Sequence, residues 1–223
     1  MAKLVAAAIV LALTAGCGSS SPRFSAKVTN PWFPLKTGSV WVYRGVKDGE
    51  PSREVVRVTG RTRVIDGAHC AAVDDRLYLS GHLEERTTDW YTQDRDGTVW
   101  YYGERTAELD RNGNVRTTEG SWTAGVDGAK AGIFMWADPQ VGQSARQEYL
   151  KGQAEDHFQV LRLGVPVTVP YGSTQHALLT KEWTPLEPRV LDHKYYLRGV
   201  GTVLEQSVKG GNERNELVSF RRG

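Results

Sequence analysis

Cysteine is scarce in this chain of 223 residues, which has only Cys17 and Cys70. Two such distant thiols make no disulfide framework, and neither has the companion ligands a zinc site needs. Cys70 sits in AHCAAV among small apolar residues and reads as a small buried hydrophobe. The five histidines, His69, His82, His157, His176 and His193, are scattered without HxxxH or HxH spacing. There is no GxSxG elbow, no GxxxxGK phosphate loop and no dinucleotide fingerprint, so the usual hydrolase and nucleotide readings lose their support. No cofactor is expected. An excess of either charge is missing too: Lys+Arg 28 against Asp+Glu 26 leaves +2, which is no footprint for nucleic acid. Beyond the first residues no segment approaches the length of a membrane-spanning helix. Helix signals are nearly absent, and the best, Ala145 to Leu150, is short enough to read as strand.

What the chain has is aromatic strand and turn chemistry. Asp89 to Glu104, DWYTQDRDGTVWYYGE, places two strand-favouring runs around Asp96-Gly97 and predicts a β-hairpin. Asp94, Asp96 and Gly97 open like a calcium loop, but Thr98, Val99 and Trp100 supply no further carboxylates, so a plain turn is expected. Asp110, Asn112 and Asn114 read the same way. Upstream, NPWFPLKTG from Asn30 to Gly38 is an extended segment whose Trp32, Phe33 and Leu35 can seal one end of a core. Strands are predicted over Ser39 to Gly45, Arg53 to Thr59, Thr62 to Ile65 and Ala68 to Leu79, with turns at Lys47 to Pro51 and Asp66-Gly67 and a bulge or loop over Gly81 to Arg86.

The second half repeats this order. Gly38 and Gly142, Gly97 and Gly201, and Tyr91 and Tyr195 are each 104 positions apart. VVRV at Val55 to Val58 matches VLRL at Val160 to Leu163 at 105, as Gly67 matches Gly172. The fold class expected is mainly β, with antiparallel meanders in two tandem repeats forming a curved sheet, a sandwich or a barrel-like domain. The domain would cover 30–223, with repeats over about 38–119 and 142–221 joined by a Gly- and aromatic-rich stretch, 120–139. That stretch, with Trp122 and Trp136, is either pinned to a sheet face or covers a cavity.

Carboxylates are the only reserve for catalysis. Asp89 and Glu104 lie near the ends of the aromatic hairpin, and Glu148 and Asp156 lie in the first hairpin of the second repeat. Paired carboxylates beside aromatic walls would suit a site acting on glycans, whereas solvated or arginine-paired acids are the bland alternative. The candidate ligand-binding residues are therefore Asp89, Trp90, Tyr91, Trp100, Tyr102, Glu104, Trp122, Trp136, Glu148 and Asp156, with no catalytic or metal-ligating residue assigned.

The start of the chain resembles a bacterial lipoprotein signal. Lys3, the apolar run Leu4 to Leu13 and Thr14-Ala15-Gly16-Cys17 supply a basic start, a short apolar core and small residues before the cleavage point. Thr14 stands where the pattern most often has Leu. The resemblance implies a signal peptide over 1–16, a lipidated Cys17 and a tether over 17–29, with an ordinary secretory signal or an uncleaved anchor as alternatives. NPWFPLKTGSVWVY, DWYTQDRDGTVWYYGE, SWTAGVDGAKAGIFM, RQEYLKGQAED and KYYLRGVGTV together resemble a family of uncharacterised bacterial exported proteins and lipoproteins, which carries no activity to transfer. The expected function is a lipid-anchored protein of the bacterial cell envelope, outside the cytoplasm, that binds a small molecule, glycan or protein. A lipid-carrying half-barrel and a carboxylate-dependent enzyme acting on glycans are the alternatives. The partners expected are the membrane, through the lipid, and that unidentified ligand, but no nucleic acid.

Overall fold

The computed structural model describes residues 23–223; the expected signal peptide and Cys17 lie outside the described residues. The strands in chain order are β1 (Phe24–Ser25), β2 (Val40–Lys47), β3 (Glu50–Ile65), β4 (Ala68–Leu79), β5 (His82–Asp94), β6 (Val99–Leu109), β7 (Val115–Thr117), β8 (Trp122–Thr123), β9 (Lys130–Met135), β10 (Ser144–Arg146), β11 (Glu148–Tyr149), β12 (His157–Val169), β13 (Gly172–Trp183), β14 (Leu191–Leu197), β15 (Gly201–Lys209) and β16 (Arg214–Arg221). All pairings are antiparallel, and the path runs β10-β12-β13-β14-β15-β16-β2-β3-β4-β5-β6-β9-β11. The class is mainly β.

The path nearly closes on itself. Ser144–Arg146 pairs with β12 at one end, and Glu148–Tyr149 pairs with β9 at the other. One short stretch of chain therefore joins both ends, and a barrel-like sheet results rather than a sandwich. Closure removes the exposed edges that would otherwise template aggregation. At the seam the backbones approach so closely that a Cβ on Gly132 would lie 2.3 Å from the Arg146 carbonyl oxygen.

Local chemistry explains the meander. Asp66 and Gly67 both adopt positive φ, 45° and 76°, as a two-residue hairpin whose twist matches its strands requires. Asp94 organises the aromatic hairpin instead as a side-chain cap: its Oδ1 accepts from the Asp96 and Thr98 amides, at 3.1 and 2.9 Å. Asp110 does the same for Asn112 and Asn114.

Several boundaries differ from the sequence reading. Arg53 to Thr59 and Thr62 to Ile65 belong to one strand, β3, interrupted by a bulge between Val58 and Thr62. Of the bulge or loop expected over Gly81 to Arg86 a bulge forms: Ser80-Gly81 makes the turn, β5 begins at His82, and its register against β4 shifts between Leu83 and Glu85. The expected tether reaches too far: Phe24 and Ser25 pair with Asp94 and Gln93. Within 120–139, residues Lys130–Met135 form β9 and are part of the wall. Gly38 and Gly142 make matching turns, donating to the Val58 and Val160 carbonyls at 2.9 Å each. Those bonds align Val58 with Val160, three residues away from the VVRV and VLRL match.

The core lies inside the barrel, with a further buried patch that includes Trp90 and Tyr102 on the outer face, where β1 packs Phe24 against Tyr102. Asn30 to Leu35 plugs one end: Leu35 is buried, and the Phe33 ring sits 4.4 Å from that of Phe134 and 5.1 Å from that of Tyr91. Asn30 fastens the plug by donating to the Gly97 and Trp136 carbonyls, both at 2.9 Å. Cys70 is fully buried, and burial pushes its thiol up to about 12, so it stays neutral packing.

Candidate functional site

Strand alternation decides which side chains meet inside. On β2 the inward positions are Trp41 and Tyr43, whose indole N–H and hydroxyl donate to the carbonyls of Val200 and Thr202, at 2.8 and 2.9 Å. The same parity turns Glu54 on β3, Asp75 on β4, Asp89 and Tyr91 on β5, Lys194 on β14, Glu205 on β15 and Asn215 on β16 into one space. A cavity of about 130 Å³ lies among them, floored by Phe33, Pro34 and Leu35 of the plug. A second space of about 180 Å³ shares Glu54, Asp75, Glu205 and Asn215 with it, and continues to Val46, Lys47 and Glu213 near the hairpin ends. The interior thus grades from an aromatic floor through a belt of carboxyl groups to a polar mouth.

The belt is held by specific partners. Lys194 Nζ bridges Glu182 Oε2 at 2.9 Å and Glu205 Oε1 at 3.2 Å, and the Tyr196 hydroxyl donates to Glu182 Oε1 at 3.2 Å. Burial works against the Lys194 charge, but these carboxylates hold its ammonium well above the usual lysine range. The Tyr101 hydroxyl lies 2.6 Å from Asp89 Oδ1 and 3.0 Å from Glu104 Oε2 and joins them. The Asn215 amide donates to Glu54 Oε2. Asp75 Oδ1 is buried and makes no hydrogen bond.

Burial raises these acids. It moves Asp89 up to about 7 against the opposing Tyr101 hydrogen bond, and Glu205 to about 7 against Lys194. Asp75 is raised well above the carboxylate range by burial and then by neighbouring Glu54, and Glu104 by burial and Asp89. Glu148 rises to about 8 through burial and Asp156, against the hydrogen bond from Trp122.

Of the ten residues singled out from sequence, five cluster inside. Asp89 and Tyr91 line the cavity, while Glu104, Trp122 and Glu148 stand beside them at the seam, the Trp122 indole donating to Glu148 Oε2 at 2.6 Å. Trp90, Trp100 and Tyr102 are on the opposite face of their strands, because they alternate with the inward residues. Trp90 lies beneath the Arg63 guanidinium at 4.7 Å and shares an opening of about 290 Å³ with Glu104 and Trp122; the Trp100 indole donates to Asp94 Oδ2 at 2.8 Å; Tyr102 meets Phe24 edge-on at 5.6 Å. Trp100 and Trp122 therefore face opposite sides of the wall. Trp136 packs beside the plug, and Asp156 is exposed.

Sequence reasoning missed Trp41, Tyr43, Glu54, Asp75, Lys194, Glu205 and Asn215. The available signal was parity: Glu54 keeps step with Val56 and Val58, and Asp75 with Val73, so each puts a charge at a core position. Among the described residues no group of three or more His, Cys, Asp or Glu side chains could hold a metal ion.

No protein-family model matches this chain, and no curated protein matches it in sequence. Among solved structures it is similar to a protein of YmcC-like fold from Bacteroides fragilis, described as exported, with a TM-score of 0.50 and 14% identity over 86% of this chain and 99% of that one. A protein from Parabacteroides distasonis described as a lipoprotein aligns with a TM-score of 0.46 and 12% identity, over 86% and 99% of the two chains. At 14% identity the likeness to the Bacteroides protein shows a shared fold alone.

Proposed function

We propose that this chain is an extracytoplasmic protein of the bacterial envelope, anchored through lipid on Cys17, that binds a small molecule inside its barrel. The observation carrying the binding reading is the interior cavity itself: it has an aromatic floor, a polar mouth and a buried Asp75 oxygen without a partner. The lipobox-like start supports the anchor, and the exported Bacteroides protein of similar fold supports the location. The tandem arrangement belongs to the same reading, supported by the matching turns at Gly38 and Gly142. A lipid chain fits the interior less well, because carboxyl groups cross its middle.

Native mass spectrometry of the mature protein, released from its own membrane fraction, tests both parts. The expected result is an acylated N-terminal Cys17 and a small molecule that co-purifies with the wild type and is lost from Val73→Phe, which fills the cavity wall. A folded wild type that retains nothing from envelope extract would overturn the binding reading, and an unacylated N-terminus beyond Cys17 would overturn the anchor.

A further inference from the structure

We infer that the interior cavity is a site for a small organic cation, an ammonium head on an apolar body, with Asp75 as its counter-ion. The inference rests on the small-molecule reading and gives its ligand a charge.

The charge balance of the lining comes first. Glu54, Asp75, Asp89 and Glu205 face this cavity against one base, Lys194, which Glu182 and Glu205 already engage. Among the described residues, none of the ion pairs involves Glu54, Asp75 or Asp89. Glu54 and Asp89 have neutral donors, Asn215 and Tyr101. Asp75 faces Glu54, a second acid with which it can only share a proton, and its Oδ1 is buried without any donor. A buried acceptor of this kind costs free energy until a donor reaches it, and a donor carrying positive charge compensates most.

The surroundings say what kind of cation. A bare metal ion needs several converging oxygens, which the belt does not supply because its carboxyl groups come from strands around the wall. On the plug side of Asp75 lie the rings of Trp41, Tyr43, Tyr91 and Phe134, which suit an apolar body and attract a cation through their faces. A ligand entering from the Lys47 and Glu213 end, apolar part first, would leave its ammonium level with Asp75. The volume limits it to a body of about one ring.

The groups that share these spaces with Asp75 set the proton balance: the acids Glu54 from β3, Glu85 and Asp89 from β5, Glu205 from β15 and Glu213 beyond it, Tyr43 from β2, and the bases Lys194 from β14, Lys47 from β2 and Arg214 from β16. Acids outnumber bases here, and burial followed by Glu54 raises Asp75, so an arriving cation competes with a proton for this carboxyl. Binding should therefore release protons and tighten as pH rises.

Titration calorimetry with three probes of one shape tests this: phenethylammonium, phenethyl alcohol and phenylacetate. The expected result is saturable binding of phenethylammonium, with protons released to the buffer and higher affinity at about pH 8 than at about pH 6. Asp75→Asn, nearly isosteric, should weaken it about tenfold or more while leaving any weak binding of the alcohol unchanged. Equal or tighter binding of the alcohol or the carboxylate overturns the cation while leaving the small-molecule reading intact. Failure of all three probes also overturns the cation, and the co-purification measurement then stands as the separate judgement on the cavity. Wild-type selectivity among the probes decides the matter even if the variant does not fold.

Discussion

The indole of Trp122 and the carboxyl of Glu148 are joined by a buried hydrogen bond of 2.6 Å across the seam where the barrel closes. Trp122 sits on a strand paired to β6, and Glu148 on the one that completes the path. The contact ties the middle of the chain to the stretch that joins both ends of the sheet. Trp122→Phe keeps the apolar volume but leaves the Glu148 carboxyl without this donor. Stability to urea should fall by about 1–3 kcal/mol, since a buried polar group then goes unsatisfied.

Gly132 guards the same seam through its backbone. An added Cβ would lie 2.3 Å from the Arg146 carbonyl oxygen and 2.5 Å from the Gln147 carbonyl carbon, so the paired strands must separate. Gly132→Ala should cost about 1–3 kcal/mol. Gly60→Ala, whose nearest neighbour is a flexible Thr37 methyl at 3.8 Å, should stay within about 0.5 kcal/mol in the same denaturation series.

Removing Lys194 would strand two carboxylates. Lys194→Met leaves Glu182 and Glu205 facing each other without the shared ammonium, and Glu182 is the more buried of the two. Loss of one partner from such a network costs about 3 kcal/mol, toward the lower end for buried pairs because Glu205 still meets solvent. Adding Glu182→Gln should recover part of the loss, and a double-mutant cycle measures the coupling.

Stability should decline as pH rises. Burial raises Asp89 and Glu205 to about 7 and Glu148 to about 8, and it also raises Asp75 and Glu104. In the unfolded chain these groups titrate near about 4. Between about pH 4 and about pH 8 the native state thus binds more protons than the unfolded one, so the stabilisation is complete at the acid end and is lost as pH passes the native values. The melting temperature should be higher at about pH 5 than at about pH 8.5. A calorimetric melt across that window that rises or stays flat would contradict the protonated interior.

The aromatic hairpin shows how far the residues speak for themselves. Its turn, its two strands and the sharing of one face by Asp89 and Tyr91 follow from an Asp-Gly signal and a period of two. Its aromatics did not reveal which face was inside, since Trp90, Trp100 and Tyr102 are as bulky as the inward Tyr91 and Tyr101. What separates them is the covering of the outer face by β1, through Phe24 against Trp100 and Tyr102. Conversely, parity puts Glu54 and Asp75 in step with core valines, but that they share one space follows only once β3 and β4 are curled so that this face points inward.

Local chemistry determined the antiparallel β class, most of the hairpins and the plugging role of Asn30 to Leu35, because turn dihedrals and side-chain alternation act over a few neighbouring residues. Tertiary structure decided the closure at Ser144 to Tyr149, the continuity of β3 through its bulge and the gathering of carboxyl groups around Lys194. Those depend on register between strands far apart in the chain, and on curvature summed over the whole sheet. No short stretch of sequence carries either quantity, and so the acids that matter inside the barrel became visible only once it closed.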